Sequence, residues 1–296
     1  MPDSSATTRS DTVATATSNA AANSRVWLVT GCSSGFGREL VRAAVAAGDR
    51  VMATARRPET LAGLADEGHG RVSTTALDVT DPASVHAAVE ATLAVHEHID
   101  VVVNNAGNLV LGAVEEFTMD QLRTQMETLF FGAAEVTKAV LPHLRAQGHG
   151  TIVQISSMGG QTTFHGFGAY HAGKFALEGL SQTLSGELAP HGVQVMLVEP
   201  GAFRTNINAA KIPVPELDAY QDTVGAFRAH VDSMQGREQG DPTKAATAIV
   251  TAVHSGKPPL RLALGGDAVD GIRAQLASRL RDVADWEDLS RSTDAH

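Results

Sequence analysis

Short apolar runs recur along the chain, separated by longer stretches in which apolar residues are spaced as in an amphipathic helix. Six such runs lie at 26–30, 50–54, 71–77, 99–103, 151–155 and 193–198, and a further one lies at 260–264. Runs of this length bounded by turn residues are typical of buried strands, and strands that alternate with helices form a parallel sheet. The pattern therefore predicts an α/β fold with a single doubly wound sheet and helices on both faces.

Capping signals and breaks in periodicity predict the other elements. Asp81-Pro82 and Asp241-Pro242 are each expected to begin a helix, because proline fits the first helical turn. A long helix is expected over 118–146, interrupted near Pro142. Periodicity weakens over 203–240, and we expect this part of the chain, called the lid segment below, to cover a substrate site. The alternative is a structural excursion with no role in binding.

The two ends of the chain differ in composition from the rest. Residues 1–24 are rich in Ser, Thr and Ala and are expected to form a disordered tail. The predicted domain covers 25–285, and 286–296 is expected to be a frayed C-terminal tail. The N-terminus lacks the apolar core of a signal peptide, and no apolar run reaches membrane-spanning length. We therefore expect a protein without a membrane partner.

Charge and cysteine content narrow the possible functions. The net charge is −10, and no stripe of Lys and Arg is present, which argues against nucleic-acid binding. Cys32 is the only cysteine, so neither an intrachain disulfide nor a cysteine-rich metal site can form. A chain of this kind is typical of the reducing cytoplasm, and we expect a cytoplasmic protein.

A glycine-rich turn follows the first predicted strand at once and leads into a helix expected over 38–47. Its glycines have the spacing Gly-x-x-x-Gly-x-Gly. Strand, glycine turn and helix form a site where backbone N–H groups and the helix N-terminus receive a pyrophosphate. The turn therefore predicts a dinucleotide cofactor. The alternative is an ordinary βα turn.

The second predicted strand ends in Arg56 and Arg57. An acidic residue at this place would bind the adenosine ribose of NAD, whereas arginine provides charge for a 2′-phosphate. The pair therefore favours NADP(H) over NAD(H). The alternative is a solvated arginine pair ahead of a helix.

Tyr170 and Lys174 lie four residues apart in a predicted helix and thus on one face of it. An ammonium group near a phenol favours the phenolate, so we expect the pKa of Tyr170 to be lowered by Lys174. Ser156 or Ser157, at the end of the preceding strand, could hold a substrate oxygen opposite the phenol. His165 and His171 flank the tyrosine and are expected to lie at the pocket rim or the surface.

These motifs together resemble the classical short-chain dehydrogenase/reductase family. The matching stretches are Thr30-Gly31-Cys32-Ser33-Ser34-Gly35-Phe36-Gly37, Asn104-Asn105-Ala106-Gly107, Ile155-Ser156-Ser157, Tyr170-x-x-x-Lys174 and Pro200-Gly201. The resemblance covers residues 25–280 and is nearest to the branch of 17β-hydroxysteroid and retinol dehydrogenase-like enzymes. It implies a Rossmann-type fold and a nicotinamide cofactor.

The resemblance also implies a role for each matching residue. Tyr170 would be the acid/base, Lys174 would lower its pKa and hold the nicotinamide ribose, and Ser157 would orient the substrate. Cofactor contacts are implied for Gly31, Ser33, Ser34, Gly35, Phe36, Gly37, Arg56, Arg57, Asp78, Val79, Asn105, Ala106, Gly107, Tyr170, Lys174, Pro200, Gly201, Phe203 and Thr205. Of these, Asp78 and Val79 would meet the adenine, and Phe203 and Thr205 the carboxamide.

Two positions depart from the family pattern. Leu129 stands where the family usually has an asparagine that holds a proton-carrying water, and Gly173 stands where many relatives have serine. Leucine offers no polar group, so the proton relay would be slower, rerouted or lost. At Gly173 we expect only a modest loss of helix propensity.

From these residues we expect an NADP(H)-dependent oxidoreductase that reduces a ketone or aldehyde to an alcohol, or runs the reverse reaction, on a moderately hydrophobic small molecule. One alternative is an imine or iminium reductase on the same scaffold, since such a substrate makes Leu129 less costly. Another is a non-catalytic cofactor-binding protein. The family resemblance further implies a homodimer or homotetramer.

Overall fold

The computed structural model describes residues 24–205, 207 and 211–295, so all but the last residue of the predicted N-terminal tail lies outside the described residues. The strands are β1 Val26–Val29, β2 Arg50–Ala55, β3 Val72–Ala76, β4 Val101–Asn104, β5 Leu109–Val110, β6 Gly150–Ile155, β7 Val193–Pro200, β8 Lys211–Ile212 and β9 Arg261–Leu264. The helices are α1 Gly35–Ala46, α2 Ala62–Glu67, α3 Pro82–His96, α4 Met119–Met126, α5 Gly132–Gln147, α6 Gly168–Leu188, α7 Ala226–Met234, α8 Pro242–His254, α9 Gly266–Asp285 and α10 Glu287–Arg291.

Seven strands form one parallel sheet in the order β3-β2-β1-β4-β6-β7-β9. The strand order reverses between β1 and β4, where Trp27 pairs with Val101. In such a sheet the ligand crevice lies outside the carboxyl ends of the strands at this reversal. The predicted doubly wound α/β fold is confirmed, and the turns singled out from the sequence all follow strand carboxyl ends.

Two apolar cores cover the two faces of the sheet, because successive side chains of a strand point to opposite faces. Trp27 and Val29 pack with the helices α1 and α8, while Leu28 packs on the other face with the helices α3 and α5. The buried carboxylate of Asp49 accepts a hydrogen bond from the Trp27 indole at 2.7 Å and so satisfies the polar N–H in this core.

The long helix expected over 118–146 is interrupted, but not at the predicted place. Thr118 caps α4 in a capping box with Gln121, as in the typical start of a helix. A π-helical turn then covers Glu127–Phe131, while Pro142 lies inside α5. The prediction of a break near Pro142 is wrong, because the proline lies on the exposed side of α5, where water can satisfy the carbonyl it leaves unpaired. The π turn instead carries Leu129.

The two ends of the lid segment lie next to each other. Phe203 forms an isolated β-bridge with Gly240, and Arg204 N–H donates to the Gly240 carbonyl at 3.1 Å. Between these ends, β8 pairs in parallel with β5, and α7 follows. At the C-terminus, where a frayed tail is expected after residue 285, α10 covers Glu287–Arg291 with exposed side chains.

Across residues 24–295, leaving aside position 206 and positions 208–210, none of the helices has the length and apolar character of a membrane span.

Candidate active site

The glycine turn after β1, called the glycine loop (residues 31–37), is shaped by backbone conformation. Gly31 and Gly35 have φ values of +72° and +57°, which favour glycine. A side chain at Gly37 would collide with the Gly31 carbonyl oxygen and with the Asn105 amide. Ser34 caps α1 without a side-chain hydrogen bond to the helix, so its hydroxyl and the first N–H groups of α1 are available to an anion. This loop fits the pyrophosphate of a dinucleotide.

The end of β4 holds the glycine loop in place. The Asn105 side-chain amide donates to the Thr30 and Gly31 carbonyls at 2.9 and 3.1 Å. The Thr30 hydroxyl in turn accepts from the backbone N–H groups of Asn105 and Ala106 at 2.8 and 3.0 Å. The family resemblance implies a cofactor contact for Asn105, and the structure shows that its side-chain amide joins the two loops. Thr30 contributes equally to this junction, a role that the sequence did not reveal although the residue belongs to the matching glycine stretch.

The arginine pair and Asp78 lie at the same edge of the sheet, because they follow β2 and β3. Arg56 and Arg57 are both exposed, and no ion pair of either is found in the part of the chain that the structure describes. Asp78 accepts hydrogen bonds from the Thr80 N–H and hydroxyl at 3.0 and 2.8 Å. The guanidinium groups of the pair are therefore accessible to a ligand phosphate.

Ser157 and Tyr170 meet at the end of β6. The Ser157 hydroxyl accepts from the Gly159 N–H at 3.0 Å, and its hydrogen bond with Tyr170 lowers the pKa of the phenol. Burial has the larger effect and raises the pKa of Tyr170 on balance. The predicted lowering of this pKa by Lys174 is therefore wrong in direction for the protein alone. A raised pKa keeps the phenol protonated at neutral pH, which is the form that donates a proton.

Lys174 lies one turn further along α6. Its Nζ donates to the Ile155 carbonyl at 2.7 Å and is 5.7 Å from the centroid of the Tyr170 ring. The residue is buried, and burial lowers the pKa of the amine to about 8. The ammonium form thus predominates at neutral pH but can exchange its proton there. The structure thus brings Ser157, Tyr170 and Lys174 together at the end of β6.

Ser156 and Ser157 face different surroundings. The Ser156 hydroxyl is buried without a hydrogen-bond partner among the described residues, and it lies beside Gly160 together with the Glu178 side chain. Of the two serines that the sequence left open, Ser157 is the one that contacts Tyr170.

Leu129 and Gly173 form a single packed pair. Leu129 is 2% exposed, and a Cβ atom added to Gly173 would lie 3.0 Å from its Cβ. On its other side Leu129 packs on Gly107, where an added Cβ would lie 3.3 Å from Leu129 Cδ2. The two departures from the family pattern are therefore one structural change. Leucine fills the space, and glycine at 173 makes room for it.

The loop after β7 contacts the glycine loop. The Phe203 ring lies 5.2 Å from the Phe36 ring, and a Cβ added to Gly35 would lie 3.5 Å from Thr205 Cβ. Gly201 N–H donates to the Leu264 carbonyl at 2.9 Å. Asp267, which the sequence did not single out, fixes this loop, since its carboxylate accepts from the Ala202 N–H at 2.7 Å. Pro200, Gly201, Phe203 and Thr205 are thus brought next to the glycine loop.

The rings of Phe164, Phe167, His171 and Phe227, called the aromatic wall below, connect Tyr170 to α7 of the lid segment. The Phe167 ring lies 5.9 Å from the Tyr170 ring and 5.9 Å from the Phe227 ring of α7. Next to it, Thr163, Phe164, His165 and Phe227 line an open cleft of about 330 Å³. Two aromatic rings and the polar side chains of Thr163 and His165 thus share the lining of this cleft.

Of the two places expected for His171, the pocket rim and the surface, the structure excludes the surface. The residue is 6% exposed, its Nε2 has no partner among the described residues, and burial lowers its pKa to about 4. Its ring packs 5.8 Å from Phe164. The histidine is therefore neutral at physiological pH and belongs to the aromatic wall, whereas His165 is exposed.

Glu116 joins the lid segment to the domain. Its side chain is 1% exposed and pairs with Arg228 of α7 at 2.9 Å. It also accepts from the backbone N–H groups of Leu217 and Ala113 at 2.9 and 2.7 Å. Burial raises the pKa of Glu116, but these hydrogen bonds and Arg228 outweigh it and lower the pKa. A buried carboxylate with three donors is a fixed anchor, which the sequence pattern did not reveal.

Two buried glutamates, Glu178 and Glu199, share their hydrogen-bond donors. Arg261 Nε is 3.1 Å from Glu178 Oε2 and 3.3 Å from Glu199 Oε1. Gln161 Nε2 donates to the same two oxygens at 3.0 and 3.1 Å. The position of Glu178, four residues after Lys174 in a helix, is the one sequence signal that could have pointed to this cluster.

Comparisons with known proteins agree with this architecture. A family model described as short chain dehydrogenase matches residues 25–214. Oxidoreductase BOA17 of Botryotinia fuckeliana is 40% identical over 270 residues, which cover 90% of this chain and 98% of that protein. A 3-ketodihydrosphingosine reductase of Bacteroides thetaiotaomicron is 35% identical over 244 residues, covering 81% of this chain and 88% of that protein.

Similarity extends to solved structures. A short-chain dehydrogenase from Streptomyces avermitilis has a TM-score of 0.87 and 48% identity, and the match covers 92% of this chain and 100% of that one. A gluconate 5-dehydrogenase from Burkholderia cenocepacia, solved in complex with NADP and tartrate, has a TM-score of 0.67 and 27% identity, and the match covers 83% of this chain and 95% of that one. The chain therefore belongs to the short-chain dehydrogenase family of oxidoreductases.

Proposed function

We propose that this protein is an NADP(H)-dependent oxidoreductase that reduces a ketone or aldehyde to an alcohol, or runs the reverse reaction, with Tyr170 as the proton donor. The observation that carries the proposal is the meeting of Ser157, Tyr170 and buried Lys174 at the crevice edge of the sheet. When bound, the nicotinamide supplies the hydride. The protein orients the substrate and provides the proton.

The protonation states of these residues support reduction. Burial raises the pKa of Tyr170, so the phenol carries its proton at neutral pH and can give it to a carbonyl oxygen as negative charge develops there. The Ser157 hydroxyl, which contacts Tyr170, can hold the same oxygen. Lys174 contributes a positive charge that stabilises the phenolate left after proton transfer.

The preference for NADP(H) rests on the arginine pair. Arg56 and Arg57 are exposed at the end of β2, which is the place where the adenosine ribose is bound in this fold. Guanidinium groups bind phosphate through charge-assisted hydrogen bonds. Arg56 would contact the 2′-phosphate, and Asp78 and Val79 would adjoin the adenine.

The aromatic wall supports a moderately hydrophobic substrate. The rings of Phe164, Phe167 and Phe227 and the neutral His171 offer apolar contacts beside Tyr170, and α7 of the lid segment supplies one of them. We propose that the lid segment covers the substrate. This fits the resemblance to 17β-hydroxysteroid and retinol dehydrogenase-like enzymes.

The proposal is tested by NADPH consumption with a panel of ketones and aldehydes. The expected result is carbonyl-dependent oxidation of NADPH that Tyr170→Phe abolishes. If the purified protein binds NADPH but converts no carbonyl compound or alcohol in a broad panel, the proposed oxidoreductase activity is wrong. A non-catalytic, cofactor-binding role then replaces it.

A second candidate is reduction of a cyclic imine or iminium ion. It is favoured by one observation, the buried Leu129 in the place of a water-holding asparagine, because an iminium ion already carries the proton that a ketone must receive. Comparing a ketone with its cyclic imine analogue in the same assay decides between the two. A higher kcat/KM for the imine favours the second candidate.

We further propose that the protein is cytoplasmic and that it forms a homodimer or homotetramer. The assembly is supported by the exposed apolar side of α9, where Leu276, Leu280 and Val283 are 47%, 71% and 69% exposed. Such stripes are typical of contact surfaces. The molar mass in solution, measured by light scattering, tests the assembly, and a monomer at all concentrations contradicts it.

A further inference from the structure

The proposed reaction consumes one proton per turnover, and Leu129 closes the side of the site from which the family's water would deliver it. Leu129 packs on Gly107 and Gly173 with no space for a polar group between them. A continuing reductase must nevertheless return a proton to Tyr170 after each cycle. The source has to lie on another side of Lys174.

Glu178 and Glu199 lie on such a side. Gly173 and Glu178 are five residues apart in α6 and therefore point about 140° apart around the helix. Lys174 and Glu178, by contrast, are one turn apart on the same face. The Ser156 hydroxyl and Glu178 Oε1 are both buried without partners among the described residues, and they would lie 2.7 and 3.3 Å from a Cβ added to Gly160. Unpaired polar atoms of Glu178 and of Ser156 are thus close together, next to Ile155, whose carbonyl binds Lys174.

The two carboxyl groups are held so closely that they are suited to share a proton. Glu178 Oε2 and Glu199 Oε1 receive the same two donors, Gln161 Nε2 and Arg261 Nε. Burial, followed by the charge of Glu178, raises the pKa of Glu199 to about 7, and Arg261 opposes the rise. Two buried carboxylates next to each other cannot both ionise easily, so the pair exchanges one proton near neutral pH.

The pair also has a route to water. Arg261 is about one-third exposed, and its guanidinium donates to exposed Gln182 at 2.9 Å. The charged groups that face the pair among the described residues are Lys174 on α6 and Arg261 on β9, while Arg279 of α9 donates to the Gln161 carbonyl at 3.2 Å. The pair therefore lies close to water beside Arg261, and the charge of Glu178 also acts on Lys174, whose pKa it raises.

We propose that Glu178 and Glu199 form a buried acid pair that returns protons to Lys174 and through it to Tyr170. This inference rests on the proposed function. In the reduction, the carbonyl carbon gains a hydride and the carbonyl oxygen gains the Tyr170 proton. The phenolate then regains a proton from the Lys174 ammonium, the amine regains one from the acid pair, and the carboxylate regains one from water. Each cycle thus consumes one proton from solvent.

The test separates the first turnover from later ones. In stopped flow, Glu199→Gln is expected to oxidise one equivalent of NADPH at a rate within about twofold of wild type, because Tyr170 begins protonated. Its steady-state kcat is expected to fall by at least about tenfold, in line with the loss of a proton-transfer group. Glu187→Gln, exposed on the same helix, is the matched control and should change neither rate.

Two further measurements distinguish a relay from a structural role. Adding Leu129→Asn to Glu199→Gln should restore part of kcat, because it reopens the other route, whereas a structural defect would not be rescued. Infrared spectra of the cofactor-free protein should show a protonated carboxyl group near pH 7 that disappears in Glu199→Gln. If Glu199→Gln does not fold, Glu178→Gln is measured in the same way.

Equal losses in the first and later turnovers, no loss in either, or a missing carboxyl band would overturn the proposed relay. These results differ from failure of the proposed function, in which the wild-type protein itself would oxidise no NADPH with any carbonyl compound.

Discussion

The glycine loop holds its shape through backbone conformation, whereas the surroundings of Lys174 depend on buried side chains that are distant in sequence. Around the glycine loop, Gly31 and Gly35 take left-handed φ values, and the groups facing a ligand are N–H groups and the exposed arginine pair. Around Lys174, the carboxyl groups of Glu178 and Glu199 and the side chain of Leu129 are almost fully buried. One end of the site is built for binding an anion and the other for controlling a proton.

This difference implies different responses to mutation. Changes at the glycine loop should alter cofactor affinity, and changes near Lys174 should alter rates and their pH dependence. The lid segment is a third case, because ionic contacts such as Glu116–Arg228 join it to the domain.

The largest effect is expected for Tyr170→Phe. Removing the hydroxyl removes the proton donor, so kcat should fall by at least about 10²-fold, while the NADPH dissociation constant changes by less than about tenfold. Steady-state kinetics and fluorescence titration measure the two. The control is Tyr220→Phe, which removes the hydroxyl of the only other tyrosine and an exposed hydrogen bond to Glu115. Its kcat should stay within about fivefold. A Tyr170→Phe variant that keeps its activity would remove the tyrosine from the mechanism.

Gly37→Ala should weaken NADPH binding more than it lowers kcat. The added methyl group would collide with the Gly31 carbonyl and the Asn105 amide, which distorts the loop and costs about 1–3 kcal/mol of unfolding free energy. We expect the NADPH dissociation constant to rise by at least about tenfold, since about 1.4 kcal/mol of lost binding corresponds to that factor.

The matched control for Gly37→Ala is Gly63→Ala, because an added Cβ there meets nothing within 4 Å. It lies in a helix and should be neutral or stabilise the protein by up to about 1 kcal/mol. Equal affinity in the two variants would show that the glycine loop does not bind the cofactor.

The pairing of Leu129 with Gly173 predicts coupling between two substitutions. Gly173→Ser alone should destabilise the fold by about 1–3 kcal/mol, because the new Cβ crowds Leu129. Leu129→Asn alone buries an amide and should cost a similar amount, about 1–3 kcal/mol. Together they should cost less than the sum, with a coupling of about 0.5–3 kcal/mol.

Denaturant unfolding measures this coupling. Gly179→Ser is the control for Gly173→Ser, since it lies on the same helix with open space around it, and it should show no coupling to Leu129→Asn. Strict additivity for Gly173→Ser would mean that the two positions do not constrain each other.

The smallest effect is expected at the lid segment. Glu116→Gln weakens the contact with Arg228, so KM should rise several-fold while kcat changes little. Because the pKa of Glu116 is lowered in the folded protein, its contribution to stability is present above the ordinary carboxyl range and is lost as pH falls through the lowered pKa. Wild-type KM should therefore rise on acidification and that of Glu116→Gln should not. Glu115→Gln is the control. Equal changes of KM in Glu115→Gln and Glu116→Gln would contradict the role of Glu116 as the anchor of the lid segment.

The sequence was most informative where structure is local. The strand pattern, the glycine spacing and the Asp-Pro helix starts depend on a few adjacent residues, and the structure has each of them close to its predicted place. The position of Leu129 was also visible as a departure from the family pattern. What could not be seen was that Gly173 compensates for it, because the two residues meet only through the packing of α6 on the π turn.

The missed features are non-local. Glu199, Arg261 and Gln161 come from three separate segments and meet only in the folded sheet. The pKa of Tyr170 was predicted in the wrong direction. The spacing of Tyr170 and Lys174 in the sequence indicates that their charges interact, but it does not show how deeply the phenol is buried, and burial has the larger effect here. The break near Pro142 failed for a similar reason, since the exposure of a proline decides whether a helix tolerates it.

The most direct test of the account is a fluorescence titration of the wild-type protein and of Arg56→Ala with NADPH and NADH. It needs no knowledge of the substrate. We expect wild type to bind NADPH at least about tenfold more tightly than NADH, and Arg56→Ala to lose most of that preference by weakening NADPH alone. Equal or tighter binding of NADH by the wild-type protein would contradict the assignment of the arginine pair. Binding of neither cofactor would contradict the proposed function itself.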